Sequence, residues 1–253
     1  MTIEPQTQIL VDIPNLNKVR VIILKVNSFL GVEKPYDLSI MGRTMLDWVK
    51  RASSTFATKE IDYLDGGDLI KTIKPHLQDE DYTVVLYSDT PLLKKKTIDD
   101  IVDYAVTKGV SVCKLQRGFV FKTEYLKSAK EVYSCEPNFF DEEDFIVVNN
   151  YQNLSVVENI LRKRIIQTHL NSGVRIMDTN SVSIDAEVVI RNGTTIYPNN
   201  RIFGICLIEE NVILEPNNVI FSSIIGKGSK IVSSVIRNAK IPKNSEIGPF
   251  KNI

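Results

Sequence analysis

The chain has 253 residues, 43% hydrophobic and 25% charged, the proportions of a soluble protein with room for more than one core. Its 31 basic and 31 acidic side chains cancel, so no net field draws it to nucleic acid or to an anionic membrane surface. The polar start from Met1 to Gln8 lacks the basic and apolar runs of a signal peptide, no stretch has the length of a membrane span, and Cys113, Cys135 and Cys206 suit reduced, small core residues, so a cytoplasmic protein is expected.

The front of the chain alternates strands and helices. Residues Val19 to Leu24 form a short β-branched run and read as a buried strand. Met45, Leu46, Val49, Ala52 and Phe56 recur at helical spacing, which predicts a helix over 43–56 with Gly42 just ahead. A strand at 59–64, the punctuation Gly66-Gly67 and a helix at 68–77 follow. Tyr82 to Tyr87 is a further apolar strand and runs straight into Ser88-Asp89-Thr90-Pro91-Leu92-Leu93. The next helix is predicted to start near Thr97, to bury Ile98, Ile101, Val102 and Ala105, and to end at Gly109. Strands at 110–115 and 119–121 flank a turn at Gly118, and a short helix is expected at 124–129. After an irregular span at 130–143 come Phe145-Ile-Val-Val148, the pair Asn149-Asn150, and a long helix that Ser155 and Glu158 would open as a capping box and Asn171-Ser172-Gly173 would close. Its Arg162-Lys163-Arg164 cluster reads as a solvated face. Apolar strands alternating with helices imply an open, mostly parallel sheet covered on both faces.

From Ile184 onwards the period changes. Ile184, Ile190, Ile196, Ile202, Ile208, Leu214 and Ile220 stand six residues apart, followed after one slip by Ile225 and Ile231 and after another by Ile241, Ile247 and Ile253. The position four residues after each is small or slim, as in Val188, Thr194, Asn200, Cys206, Val212, Asn218, Ser229 and Ser245. Neither a helix nor a flat strand has that period. Hexads of this kind describe a triangular solenoid, a parallel β-helix with inward aliphatics and small residues near the corners, three hexads to a coil and about four coils in all. The expected organisation is an α/β domain over 1–151, a linking helix and connection over 152–181, and the β-helix over 182–253.

Taken in order, Tyr-Ser-Asp-Thr-Pro-Leu-Leu at a strand end, Val-Asn-Asn before a long helix, Leu-Asn-Ser-Gly-Val-Arg-Ile-Met-Asp leading into hexads, and a closing Ile-Gly-Pro-Phe resemble the bacterial bifunctional N-acetylglucosamine-1-phosphate uridyltransferase / glucosamine-1-phosphate acetyltransferase family. Gly42-Arg-Thr-Met45 and Gly66-Gly-Asp-Leu-Ile70 look like segments of the same family. The resemblance runs from about Val19 to Phe250. It implies a Rossmann-like nucleotidyltransferase domain followed by a short left-handed β-helix. It further implies that Asp89 and Asn149 hold one Mg²⁺, because nucleotidyl transfer gathers negative charge on oxygens that a hard cation neutralises. Lys34, beside Pro35, stands near the family's nucleotide-binding lysine, and Gln116 near an asparagine that helps hold the sugar.

The departures bear on activity. The family's glycine-rich phosphate loop is replaced here by Lys25-Val-Asn-Ser-Phe-Leu-Gly31, whose side chains do not suit the positive φ that a close approach to phosphate needs. The uracil-reading segment has no counterpart between Lys71 and Asp81. Acetyl transfer in the family uses a histidine far along the β-helix, whereas His76 and His169 both precede the hexads. Two readings follow. One is a reduced nucleotidyltransferase acting on or binding a nucleotide or nucleotide-sugar. The other is a catalytically silent paralogue whose β-helix serves assembly or partner binding. A hexapeptide acyltransferase ranks below both. Short β-helices pack by their side faces, and a trimer of this chain is expected.

Overall fold

The computed structural model describes residues 19–27, 32–132, 136–137 and 140–253. The chain start read as lacking a signal peptide, residues 28–31 of the loop without glycines, Cys135 and Asn138 lie outside them. The contacts divide the chain into two compact units, one holding Val49–Tyr87 and Leu93–Phe145 with the chain up to Lys25, the other holding Val26–Trp48, Ser88–Leu92 and Ile146–Ile253.

The first unit is built on a mixed, mostly parallel sheet. Its strands are β1 (Val19–Val26), β4 (Ala57–Tyr63), β5 (Tyr82–Tyr87), β6 (Val112–Leu115), β7 (Gly118–Lys122) and β8 (Glu136–Pro137), ordered β4-β1-β5-β7-β6-β8; in the second unit β2 (Ser39–Ile40) and β3 (Arg43–Thr44) form a separate antiparallel pair. β1 and β5 pair in parallel from Val19 opposite Tyr82 to Leu24 opposite Tyr87. β7 runs antiparallel to both its neighbours, closing a hairpin with β6. All six residues of β5 are buried, which is why its sequence is an apolar run with no alternation.

Helices α1 (Met45–Ala52), α2 (Leu69–Ile73), α3 (Lys95–Lys108), α4 (Thr123–Ser128) and α5 (Tyr151–Asn171) complete the set. α3 buries Ile98, Ile101, Val102 and Ala105 as its spacing predicts, begins two residues before Thr97, and ends on Gly109 in the left-handed region. Three boundaries differ from expectation. The helix expected over 43–56 starts only at Met45, because Met41 (φ 49°) and Gly42 (φ 84°) turn the chain so that Ser39–Ile40 pairs with Arg43–Thr44. The Thr44 hydroxyl then accepts from the Asp47 amide and caps the helix. The helix expected over 68–77 is capped by Asp68 but gives way to a 3₁₀ turn over Lys74–His76, since Pro75 has no N–H to continue it. The long helix opens at Asn150 rather than Ser155: Asn150 Oδ1 accepts from the Asn153 amide at 2.7 Å, so the short amide side chain caps before the Ser155–Glu158 box is reached. β8, paired with β6 in parallel, falls in the span that reads as irregular.

In the second unit the hexads form a left-handed β-helix with three parallel sheets of four, four and five strands. Every aliphatic from Ile184 to Ile231 in the six-residue series is buried, as are the slim residues Val188, Thr194, Asn200, Cys206, Val212, Asn218 and Ser229. Each isoleucine so placed contributes about 2 kcal/mol of burial. The slips in the period are coils that shorten: partners stand 18 residues apart for Ser183 and Arg201, 17 for Leu207 and Ile224, and 16 for Val219 and Val235. Ile236, passed over by a strict six-residue count, occupies the inward position between Ile231 and Ile241 and is fully buried. The solenoid also begins earlier than 182, because Arg175–Ile176 already pairs with Thr195–Ile196.

α5 joins this unit together. Its Leu161 and Val157 pack with Ile40, Met45, Leu92 and Val148, and Ile166 enters the core of the coils. The arginines expected on a solvated face bind backbone carbonyls instead, Arg162 reaching Thr179 O at 2.6 Å and Arg164 reaching Leu92 O at 2.6 Å. The β2–β3 turn is clasped to the first coil. The Ala186 amide donates to Met41 O at 2.9 Å, Arg43 pairs with Glu187, and the same guanidinium lies over the Trp48 ring.

Candidate functional site

Asp89 leaves the buried end of β5 and is itself buried, in a run from Tyr82 to Leu93 that has no exposed residue. Such a site suits a carboxylate that is held rather than solvated. The Val148 amide donates to Asp89 O at 2.8 Å, so the backbone sets the next residue, Asn149, beside Asp89 although 60 positions separate them in sequence. Asn149 is exposed and sits just ahead of the Asn150 cap. Its Oδ1 accepts from Asn150 Nδ2 at 2.8 Å and from Asn153 Nδ2 at 3.1 Å. The Ser88 hydroxyl accepts from the Val26 amide at 3.1 Å and ties the end of β1 to the same corner.

One carboxylate and one amide oxygen are hard ligands, and Mg²⁺ is commonly held by one or two protein oxygens with water and substrate phosphates completing the shell. By donor type the pair fits. By occupancy it fits less well, since both lone pairs of Asn149 Oδ1 already accept N–H groups and one bond must yield before the oxygen coordinates. Among the described residues no group of three His, Cys, Asp or Glu side chains is placed to hold a metal ion.

Lys34 shares a unit with Asp89 and Asn149; it is exposed and precedes the 3₁₀ turn Pro35–Asp37. Gln116 belongs to the other unit, exposed on the turn between β6 and β7.

In that first unit the ends of β4 and β5 carry a cluster that sequence reasoning passed over. Tyr63 and Tyr87, the last residues of their strands, meet edge to face at 5.9 Å. Arg117, in the hairpin turn next to Gln116, lies over the Tyr87 ring at 4.0 Å and pairs with Asp65 at 3.2 Å. Burial raises the Tyr63 phenol above its ordinary range, with the nearby Asp65 adding to the effect. The signal in the sequence was a tyrosine closing each of two strands, next to a turn carrying arginine. The carboxyl ends of strands are where open α/β sheets receive ligands, and here those of β4 and β5 are occupied by the chain's own rings and guanidinium.

Of the two histidines, His169 lies near the end of α5, and burial holds its imidazole below the usual range. In the coils burial raises Asp185, against the hydrogen bond it accepts from the Gly204 amide, and raises the Cys206 thiol. No helix among the described residues is long and apolar enough to cross a membrane.

Fold and corner together define a class: a Rossmann-like α/β domain, with an acidic residue at the end of a buried strand, followed by a left-handed β-helix. In sequence the chain is similar to proteins that share one description. Over 266 aligned positions the chain is 26% identical to the bifunctional protein GlmU of Clostridioides difficile (strain 630), covering 79% of this chain and 58% of that protein. Over 127 positions it is 43% identical to GlmU of Clostridium tetani (strain Massachusetts / E88), covering 50% of this chain and 27% of that one. The chain is a partial, divergent homologue of the bifunctional GlmU proteins, and its match to the C. difficile relative spans little more than half of that relative's length. No family model matches. Among solved structures, molybdopterin-guanine dinucleotide biosynthesis protein A of Archaeoglobus fulgidus superimposes with a TM-score of 0.44 and 17% identity over 57% of this chain and 99% of that one.

Proposed function

We propose that this chain is a nucleotidyltransferase-related protein of the sugar-1-phosphate uridyltransferase type that binds a nucleotide or nucleotide-sugar through Asp89 and Asn149, with uridyl transfer reduced or lost. The observation that supports it is the 2.8 Å backbone bond from the Val148 amide to Asp89 O, which joins the segment leading into Asn149 to the backbone of Asp89 at the end of a buried strand. Bound there, Mg²⁺ would neutralise charge on phosphate oxygens. Asp89 and Asn149 would hold it and Lys34 would meet a phosphate; for Gln116, in the other unit, a sugar contact is what the family resemblance implies. Acetyl transfer is no part of this reading: neither histidine lies in the coils, and His169 is buried. The protein is read as cytoplasmic, with its α/β domain within 1–151, the linking helix α5 after it, and its solenoid entered at Arg175–Ile176 and carried by the hexads of 182–253. The solenoid is the part that self-associates, as a trimer in the sequence expectation.

The second reading, a silent paralogue that works as a binding or assembly module, draws on two observations. Asn149 Oδ1 is already doubly bonded within its own turn, and the Tyr63–Tyr87–Arg117 cluster occupies strand ends.

Calorimetry with UTP, UDP-N-acetylglucosamine and Mg²⁺ separates the two. A nucleotide-dependent heat that Asp89→Ala abolishes and Asn149→Ala weakens supports the first. An absence of heat with every ligand, from protein that melts cooperatively, supports the second.

A further inference from the structure

We infer that a cleft at the amino ends of β1, β4 and β5 binds a small zwitterion of the α-amino-acid class, with Arg20 taking the carboxylate and Glu80 the ammonium. The cleft lies wholly in the first unit and is lined by Val19 and Arg20 at the start of β1, Ala57 at the start of β4, and Gln78, Asp79 and Glu80 ahead of β5. Its volume of about 540 Å³ is that of a small-molecule site. Open α/β sheets receive ligands at the carboxyl ends of their strands, so this cleft, before Tyr82, is at the other end of β5 from Tyr87. It uses none of the residues assigned to the nucleotide.

The chain gives Arg20 no acceptor. Its Nε is buried without a hydrogen-bond partner, and among the described residues no carboxylate pairs with its guanidinium. The large majority of buried polar side-chain atoms in folded proteins have a partner, and a half-buried guanidinium without one costs the fold stability until an anion arrives. Glu80, by contrast, is fixed. Its carboxylate accepts from the Gln78 amide at 3.1 and 3.2 Å and from the Thr83 hydroxyl at 3.3 Å. Arg20 stands opposite Thr83 in the parallel β1–β5 register, which sets both side chains on one face of the sheet. The unpaired cation and the fixed anion are thus neighbours of the same threonine without pairing with each other.

Charge identifies the ligand. Asp79 is exposed with Lys127 Nζ 3.9 Å away, which leaves Arg20 and Glu80 as one cation and one anion on the cleft. A plain anion would bind Arg20 against the repulsion of Glu80, and a plain amine would bind Glu80 against that of Arg20. A molecule carrying both charges satisfies both, and a carboxylate matches the guanidinium fork. An α-amino acid holds its two charges a few ångströms apart, the scale of two groups that share Thr83 as a neighbour, and Val19 and Ala57 give its side chain an apolar wall.

Calorimetry on the full chain tests this, with the protein L-amino acids offered singly and with acetate, methylammonium and inorganic phosphate as probes of one charge sign. The expected result is saturable binding of at least one amino acid, at least about tenfold tighter than any of the three single-charge probes. Arg20→Met, which keeps the apolar stem, should weaken that binding by about tenfold or more, and Arg20→Lys, which keeps the charge without the fork, by less. Glu80→Gln, which keeps an oxygen for the Gln78 amide and the Thr83 hydroxyl, should also weaken it by about tenfold. Without ligand, circular dichroism should show Arg20→Met melting at or above the parental temperature, because an unbonded buried donor is gone. A melt well below the parent's would mean that the fold already satisfies the guanidinium, and overturns the proposal. So does a failure of every amino acid to bind, a single-charge probe that binds as tightly, or a binding indifferent to Arg20→Met or to Glu80→Gln.

Discussion

Asp144 is wholly buried, yet its carboxylate pairs with Lys94 Nζ at 2.7 Å and accepts from the Thr97 hydroxyl in the first turn of α3. The 3₁₀ turn at 142–145 is thereby fastened to the helix that follows the Asp89 corner in sequence. Asp144→Ala removes the buried acceptor and leaves Thr97 and Lys94 without it. Because Lys94 reaches solvent and Asp141 as well, the loss should be about 2–3 kcal/mol rather than the larger cost of a fully stranded charge. Urea unfolding followed by circular dichroism measures it, and Asp144→Asn should recover part of the difference.

The slim residues inside the coils are not interchangeable. Asn218 Nδ2 donates to Asn200 Oδ1 at 3.0 Å and to Ile231 O at 3.2 Å, and its own Oδ1 accepts from the Ser234 amide at 2.9 Å. Asn218→Val keeps much of the volume but takes the partner from the buried Ser234 amide and from the Asn200 side-chain oxygen, whereas Ile231 O still accepts from the Glu215 amide. A loss of about 2–3 kcal/mol is expected, well above that of Val212→Ala at a purely apolar position of the same kind, where about 1–2 kcal/mol is expected. Thermal melts of the two variants side by side decide the order.

Corner residues follow backbone geometry. Gly193 (φ 75°) stacks on Asn211 (φ 58°), and a Cβ on Gly193 would stand 2.2 Å from Asn211 Oδ1. Gly193→Ala should cost about 2 kcal/mol, from left-handed strain and from the clash. Asn211→Gly should cost under about 1 kcal/mol, since glycine takes that φ freely. Denaturant midpoints at constant m-value test the asymmetry.

Stability should fall as pH drops through the histidine range. The buried His169 holds its proton less tightly in the fold than in the unfolded chain, whose imidazole has the ordinary value of 6.5. Below that value the unfolded state takes up a proton that the fold refuses, so unfolding gains; above it the contribution is fully present. Asp185 acts with the opposite sign further into the acid range, because its raised carboxyl binds a proton more readily folded than unfolded. Melting temperatures from pH 7.5 to 5 should decline in the parent chain and decline less in His169→Leu.

Periodicity was the part of this protein its residues declared on their own. The six-residue return of isoleucine specifies a triangular coil because inward positions must be apolar at every strand whatever surrounds the prism, and the buried run of β5 declares its two covered faces for the same reason. Asp89 and Asn149 were legible only through resemblance, as a turn carboxylate and an amide with nothing local to distinguish them. Lys34 and Gln116 stood on the same footing, and the structure puts them in different units. What tertiary structure alone decided depends on partners distant in sequence. The Val148 amide brings Asn149 to Asp89, Arg117 finds the Tyr87 ring, and the arginines of α5 turn from solvent to the carbonyls of Leu92 and Thr179. A period records which face of an element is inward, whereas a hydrogen bond across 60 or 70 residues leaves no mark on the local order of side chains.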